Sequence, residues 1–180
     1  KRAAEAHLQT LATQAKLRPA ILRPSVVYGK GGDSSALFMN LARLPLALFP
    51  GPMLTARVQP VSVHDLAAAV VALLGPALQH TGTIECTGPE ALTMGAFIAS
   101  LRQQMGHRPA TVLRLPQPLT TLSARLGDAV PQSPWCSETL AMLGSDNVAD
   151  AAPLQALLGH PATHYSQLVE RARATTEAQA

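Results

Sequence analysis

The sequence predicts an α/β fold, in which part of a parallel sheet packs against helices and continues into a smaller, mostly helical region. Three observations carry this expectation. Segments with apolar residues at helical spacing alternate with short β-rich runs, the pattern of parallel strands joined by crossover helices. From about residue 118 the pattern is helical, in pieces separated by Pro131, Pro134, Pro153 and Pro161, because proline ends a helix. A chain of 180 residues, 47% hydrophobic and 14% charged, has ordinary globular composition and can bury one substantial core.

The first segment places Ala4, Leu8, Leu11, Ala12 and Ala15 at helical spacing. Neither an initiator methionine nor a capping residue precedes Lys1, so the chain is expected to start inside a helix, as a piece of a longer protein. Residues 19–28 read as a short strand run, closed by a loop of Gly29, Lys30, Gly31, Gly32 and Asp33. A helix is expected over 35–44 and a strand over 56–63, followed by an apolar helix over 66–74 that Asp65 is placed to cap. Residues 82–88 read as a strand, and Thr93 opens a helix over 94–105 that Gly106 ends. The run 110–116 reads as a strand leading into a helix over 118–126, and the tail 175–180 is expected to fray. No internal repeat occurs.

Composition removes several functions. A net charge of +3 and a pI near 9.2 could favour an anionic partner, but the basic residues are scattered. Aromatics at 3% leave no stacking platform for single strands, so no nucleic acid is expected. Cys86 and Cys136 have no partner spacing for a metal site and read as core residues or idle thiols. The absence of a disulfide framework and of a signal peptide makes a cytoplasmic location the expectation. No apolar run is long enough to span a bilayer: Arg43 and three prolines interrupt 41–54, and His64 and Asp65 interrupt 61–74. Peripheral membrane association stays open.

Three blocks, in this order, resemble the later part of the NAD-dependent epimerase/dehydratase branch of the short-chain dehydrogenases/reductases. That family carries Tyr-x-x-x-Lys on a helix, then Ala and Glu, then a strand ending Arg-Pro-x-x-x-Tyr-Gly. Lys1, Arg2, Ala3, Ala4 and Glu5 match the end of the first motif, and the run from Leu22 through Arg23 and Pro24 to Tyr28 and Gly29 matches the second. Residues 57–69 resemble the third block, a strand running into a helix started by Asp65. The resemblance continues loosely over 83–106. Beyond it, the Leu-Pro-x-Pro run at 115–118 and the helical tail are similar to the subfamily of the nucleotide-binding accessory subunit of respiratory complex I.

The resemblance implies the C-terminal portion of a Rossmann-like parallel sheet over residues 1–90, with an inserted substrate region, and a mainly helical substrate-binding region over 91–180. It implies NAD or NADP, bound by the full-length protein together with a missing N-terminal half. Lys1 would be catalytic and cofactor-binding: the motif lysine holds the nicotinamide ribose and lowers the pKa of the tyrosine one turn before it. That tyrosine would precede residue 1, so the chain alone is expected to be inactive. Read without the family, Lys1 is an exposed lysine at a chain end.

Pro24, Ser25 and Val26 would present backbone groups to the nicotinamide carboxamide, or else form a plain strand terminus. Tyr28 and Gly29 would shape the mouth of the substrate site, Gly29 by tolerating positive φ. Arg57 sits where sugar-nucleotide members contact a diphosphate; otherwise it is a strand-edge surface arginine. Those members carry Asn where this chain has Val26, which argues for a less polar small-molecule substrate. The apolar stretch 41–54 either lines a pocket for a lipid-like or quinone-like ligand or packs as a buried loop and helix.

The 29–33 loop fits neither GxGxxG nor GxxxxGK[ST], and with no helix start expected directly after it, it reads as a turn. His64 and Asp65 point apart at a strand-helix junction and form no general-base pair. The functional expectation is a NAD(P)-dependent oxidoreductase or epimerase. Its alternatives are a nucleotide-binding structural or assembly protein, as the complex I likeness implies, and a stable interaction domain.

Overall fold

The computed structural model describes residues 2–15, 18–75, 81–129, 137–142 and 145–177. In chain order its elements are helix α1 (Arg2–Ala15), strands β1 (Ala20–Pro24) and β2 (Val27–Tyr28), helix α2 (Asp33–Arg43), strand β3 (Leu46–Pro50) and the short helix α3 (Gly51–Thr55). Strands β4 (Arg57–Val58) and β5 (Val61–Ser62) lead into helix α4 (Val63–Leu74). Strands β6 (Gly82–Cys86) and β7 (Leu92–Thr93) precede helix α5 (Met94–Gln104), strand β8 (Thr111–Leu115) and helix α6 (Gln117–Asp128). Helices α7 (Ser137–Met142) and α8 (Ala152–Leu158), a 3-10 turn (Tyr165–Gln167) and helix α9 (Leu168–Glu177) follow.

The α/β expectation holds. Among the described residues β1 pairs with β6, β2 with β5 and β3 with β8, all parallel, while β4 and β7 pair antiparallel. Parallel partners far apart in sequence require helical crossovers, and the helices between them are those crossovers. Caps set several helix ends as the sequence predicts. The Thr93 hydroxyl accepts the Ala96 N–H at 3.1 Å at the start of α5, and Gly106 takes φ 78° just past its end.

Along the strands and at Asp65 the structure differs from the sequence reading in four places. The run 19–28 is two strands, because the chain changes partner at the break: Ser25 N–H donates to Cys86 O at 3.1 Å, whereas Val26 O accepts from Val61 N–H at 2.9 Å. The run 56–63 breaks likewise at Gln59 and Pro60, Pro60 having no N–H to give a ladder. Within 41–54 lies a strand the sequence did not announce. In β3, Ala47 and Phe49 are buried while Leu46 and Leu48 are exposed, a period of two hidden by uniformly apolar residues between prolines.

The fourth concerns Asp65. Helix α4 starts earlier than expected, and Ser62 caps it by accepting the His64 N–H at 3.2 Å. Asp65 therefore falls in the first turn, buried, and its carboxylate accepts the Thr163 N–H at 2.6 Å. It clasps the returning chain instead of capping the helix.

Two apolar clusters form the interior. The larger centres on Tyr28, Phe49, Phe97 and Leu101, with Leu168 and Val169 from α9. The smaller joins Ile84 and Cys86 of β6 to Val61, Ala69 and Leu154 and Leu157 of α8. Both draw on residues before and after position 90.

Candidate functional site

Open parallel sheets bind ligands outside the carboxyl ends of their strands, and here β1 and β6 end side by side, Pro24 opposite Cys86. The start of α1 is fixed to the same end: Arg23 donates from Nε to Glu5 Oε1 at 3.2 Å and also bonds Glu85. The two carboxylates, Glu5 foremost, hold that guanidinium firmly charged. The first and second sequence blocks are thereby brought together. Lys1 itself lies outside the described residues, as does Cys136.

Of the strand-end residues, Pro24 is exposed while Ser25 and Val26 are half-buried. The Ser25 hydroxyl donates to Asn147 O at 2.9 Å and accepts the Gln59 N–H at 3.3 Å, so it braces the loop. Val26 O is engaged by Val61 but, as a carbonyl, keeps a second lone pair. Beside them at the end of β6, Thr87 is buried and its Oγ1 has no partner among the described residues. A buried hydroxyl left unpaired costs on the order of 1–3 kcal/mol, which a bound polar group would relieve.

Gln59 organises this end, and no sequence signal announced it. Its buried side chain donates from Nε2 to Gly88 O at 3.1 Å and accepts the Ala149 N–H on Oε1 at 2.7 Å. The approach is so close that a Cβ on Gly88 would lie 2.0 Å from Pro60 O.

Tyr28 and Gly29 belong to a neighbouring cavity of about 650 Å3, bounded by the 29–33 loop, α2 and α9. Two expectations change here. Gly31, not Gly29, takes positive φ, at 85°. Gly29 is needed because a Cβ there would stand 2.2 Å from Val63 Cγ1. Helix α2 begins at Asp33, the last residue assigned to the loop, rather than two residues on, and Gly32 is its N-cap. Ser35 instead folds back, its Oγ accepting the Gly29 N–H at 3.0 Å. Burial raises the Tyr28 phenol pKa, which Arg173 and Arg43 partly offset.

Arg57 is exposed and lines neither this cavity nor the smaller one beside α3 and α6. Its N–H donates to Asp146 Oδ1 at 2.9 Å and its carbonyl accepts from Asn147 at 2.8 Å. The site residues named from sequence thus fall in three places: Pro24 to Val26 at the strand ends, Tyr28 and Gly29 on the cavity, Arg57 on an outer edge. Cys86 is buried in the smaller cluster, its thiol pKa pushed up by burial first and by Glu85 second. No group of three potential metal ligands occurs among the described residues, and none of their helices is long and apolar enough to cross a membrane.

No protein-family profile and no curated protein matches the sequence. Solved structures do match the fold. UDP-N-acetylglucosamine 4-epimerase from Bacillus cereus superposes with a TM-score of 0.64 at 15% identity, over 97% of this chain and 54% of the other. UDP-glucuronic acid 4-epimerase from the same organism, in complex with UDP-glucuronic acid and NAD, gives 0.59 at 17% identity, over 97% and 50%. RMD from Pseudomonas aeruginosa, complexed with NADPH, gives 0.64 at 13% identity, over 100% and 55%. The chain spans about half the length of these structures. The likeness defines the fold class: a mixed α/β, Rossmann-like architecture shared with epimerases of this kind.

Proposed function

We propose that the chain is the substrate-side portion of a NAD(P)-dependent short-chain dehydrogenase/reductase, an oxidoreductase or epimerase/dehydratase. Sequence outside these 180 residues would supply the dinucleotide-binding half and the tyrosine acid, and the chain would be inactive by itself. The supporting observation is the parallel pair β1 and β6, whose carboxyl ends lie side by side, with half-buried Ser25 and Val26 following one strand and the buried, unpartnered Thr87 hydroxyl following the other. The neighbours solved with NAD and with NADPH fit the same reading.

When bound, the nicotinamide supplies or accepts the hydride. The chain's own residues hold and orient it. The Thr87 hydroxyl and the Val26 carbonyl can pair with a carboxamide, and the Arg23–Glu5 bond keeps α1 beside them. Lys1 then serves the ribose and the phenol. Tyr28 and Gly29 would bound the substrate side and residues 91–180 would shape the substrate region, with Arg57 outside it on an outer edge. The substrate is a small molecule less polar than a sugar nucleotide, because Val26 replaces the Asn those members carry. The location is cytoplasmic.

The test uses the full-length protein. NADH and NADPH binding is followed by nicotinamide fluorescence in wild type and in Thr87→Val. Binding of one dinucleotide, weakened about 5-fold by the substitution, is the expected result, matching one lost hydrogen bond. Failure to bind either dinucleotide overturns the reading. Protein that retains the dinucleotide through purification and oxidises no substrate takes the structural role that the complex I likeness implies.

A further inference from the structure

The cavity between the 29–33 loop, α2 and α9 has walls of two kinds. Met39, Val169 and Ala172 are apolar, whereas Lys30, Arg43 and Arg173 are cationic. At about 650 Å3 it falls within the ~300–1,000 Å3 of sites for small organic ligands. Asp33 is the one acid among its described lining residues. Arg43 donates from Nη1 to Asn40 Oδ1 at 3.1 Å. Neither Arg43 nor Arg173 is in an ion pair among the described residues.

Arg43 and Arg173, 130 positions apart in sequence, line the same cavity as the Tyr28 phenol, and both partly offset the rise that burial imposes on its pKa. Two cations on the wall of one cavity favour an anion between them. Guanidinium groups suit this, since they bind carboxylate and phosphate through paired N–H donors. The phenol belongs to a residue only 4% exposed, and it donates to Met39 Sδ at 3.0 Å, a weak acceptor that a ligand oxygen would replace.

We propose that this cavity binds an amphiphilic anion, its carboxylate or phosphate head held between Arg43 and Arg173 and its apolar body lying along Met39, Val169 and Ala172. As the identity of the substrate this rests on the function proposed above; as a binding site it stands on the cavity alone. It joins the apolar character expected from Val26 to a charged head that the sequence did not announce.

Calorimetric titration of the intact protein with octyl phosphate, octanoate and octanol tests it. At least one anion binds, about 10-fold or more tighter than octanol, consistent with charge-assisted hydrogen bonds. The preferred head separates phosphate from carboxylate. Arg43→Gln and Arg173→Gln, both at exposed positions, each weaken the anion about 10-fold while leaving octanol binding and thermal unfolding unchanged. Equal affinity for octanol, undiminished anion binding in both variants, or no binding at all overturns the assignment. Dinucleotide binding, measured on the same preparation, separates the two readings: if it persists without octanoate or octyl phosphate binding, this site alone fails, and the reverse result removes the cofactor instead.

Discussion

The two cores solve the same problem with different means. The larger is aromatic and interlocked: Phe97 meets Tyr28 edge-on at 6.2 Å and Phe38 at 5.6 Å. It is sealed at the end of α2 by buried Arg102, which gives hydrogen bonds to Ala42 O at 2.9 Å, Leu44 O at 3.0 Å and Arg108 O. The carbonyls of Ala42 and Leu44 would otherwise end α2 without partners. The smaller core is aliphatic and lies under the ladder of β1 and β6, against α4 and α8. Parallel ladders are ordinarily covered on both faces, yet β1 and most of β6 remain partly or fully exposed. On α4, Val71 and Leu74 also face outward, Leu74 at 81%. The larger core is thus locked by rings and one buried arginine, while the smaller depends on the clasps of Asp65 and Gln59 at its margin.

Truncation ranks the cores. Phe97→Ala removes the ring that both other aromatics pack on and should cost about 4 kcal/mol; Leu154→Ala in the smaller core should cost about 3 kcal/mol. Urea unfolding of the two variants decides the order, and a larger loss from Leu154 would invert the comparison. Gln59→Leu comes next, at about 2 kcal/mol, because it leaves Gly88 O and Ala149 N–H unpaired. Hydrogen exchange in this variant should rise around Ser25, Gly88 and Ala149 and leave α5 protected. Exchange rising equally through α5 would make the two cores one cooperative unit.

The smallest effect sharpens the contrast between two ionisable groups whose pKa burial raises, Tyr28 in one core and Cys86 in the other. Burial raises the Tyr28 pKa above its ordinary 10.0, so its contribution is intact below pH 10 and is lost as pH rises through the folded value. Tyr28→Phe should change stability by less than about 1 kcal/mol at neutral pH and remove that alkaline loss. Stability measured against pH from 7 to 11 checks both halves of the expectation.

Much of this fold was legible because its signals are local. The spacing in α1, the cap of Thr93 and the stop at Gly106 act within one turn, and the Arg-Pro-x-x-x-Tyr-Gly run marks β1 and its loop. What escaped was set by partners distant in sequence. β3 reads as a strand only once β8 lies beside it, and the breaks after Pro24 and at Pro60 appear only when the chain exchanges ladder partners. Asp65 looks like a cap until the segment around Thr163 returns. Of the site, Tyr28 and Gly29 were named from sequence and do face a cavity. Arg43 and Arg173 were not, because scattered charges show no convergence until two helices pack. Gln59 and Thr87 carry no motif at all.

The Asp65 clasp also sets a timetable. Its acceptor is made 98 residues before its donor, so during synthesis α4 must wait, its carboxylate hydrated, until Thr163 has emerged. Closing so long a loop slows folding more than it weakens the finished structure. A nascent chain halted before Thr163 would hold an acid whose hydration must be surrendered for nothing in return, and so would keep the smaller core open to chaperones and proteases until the segment from α8 to Thr163 arrives.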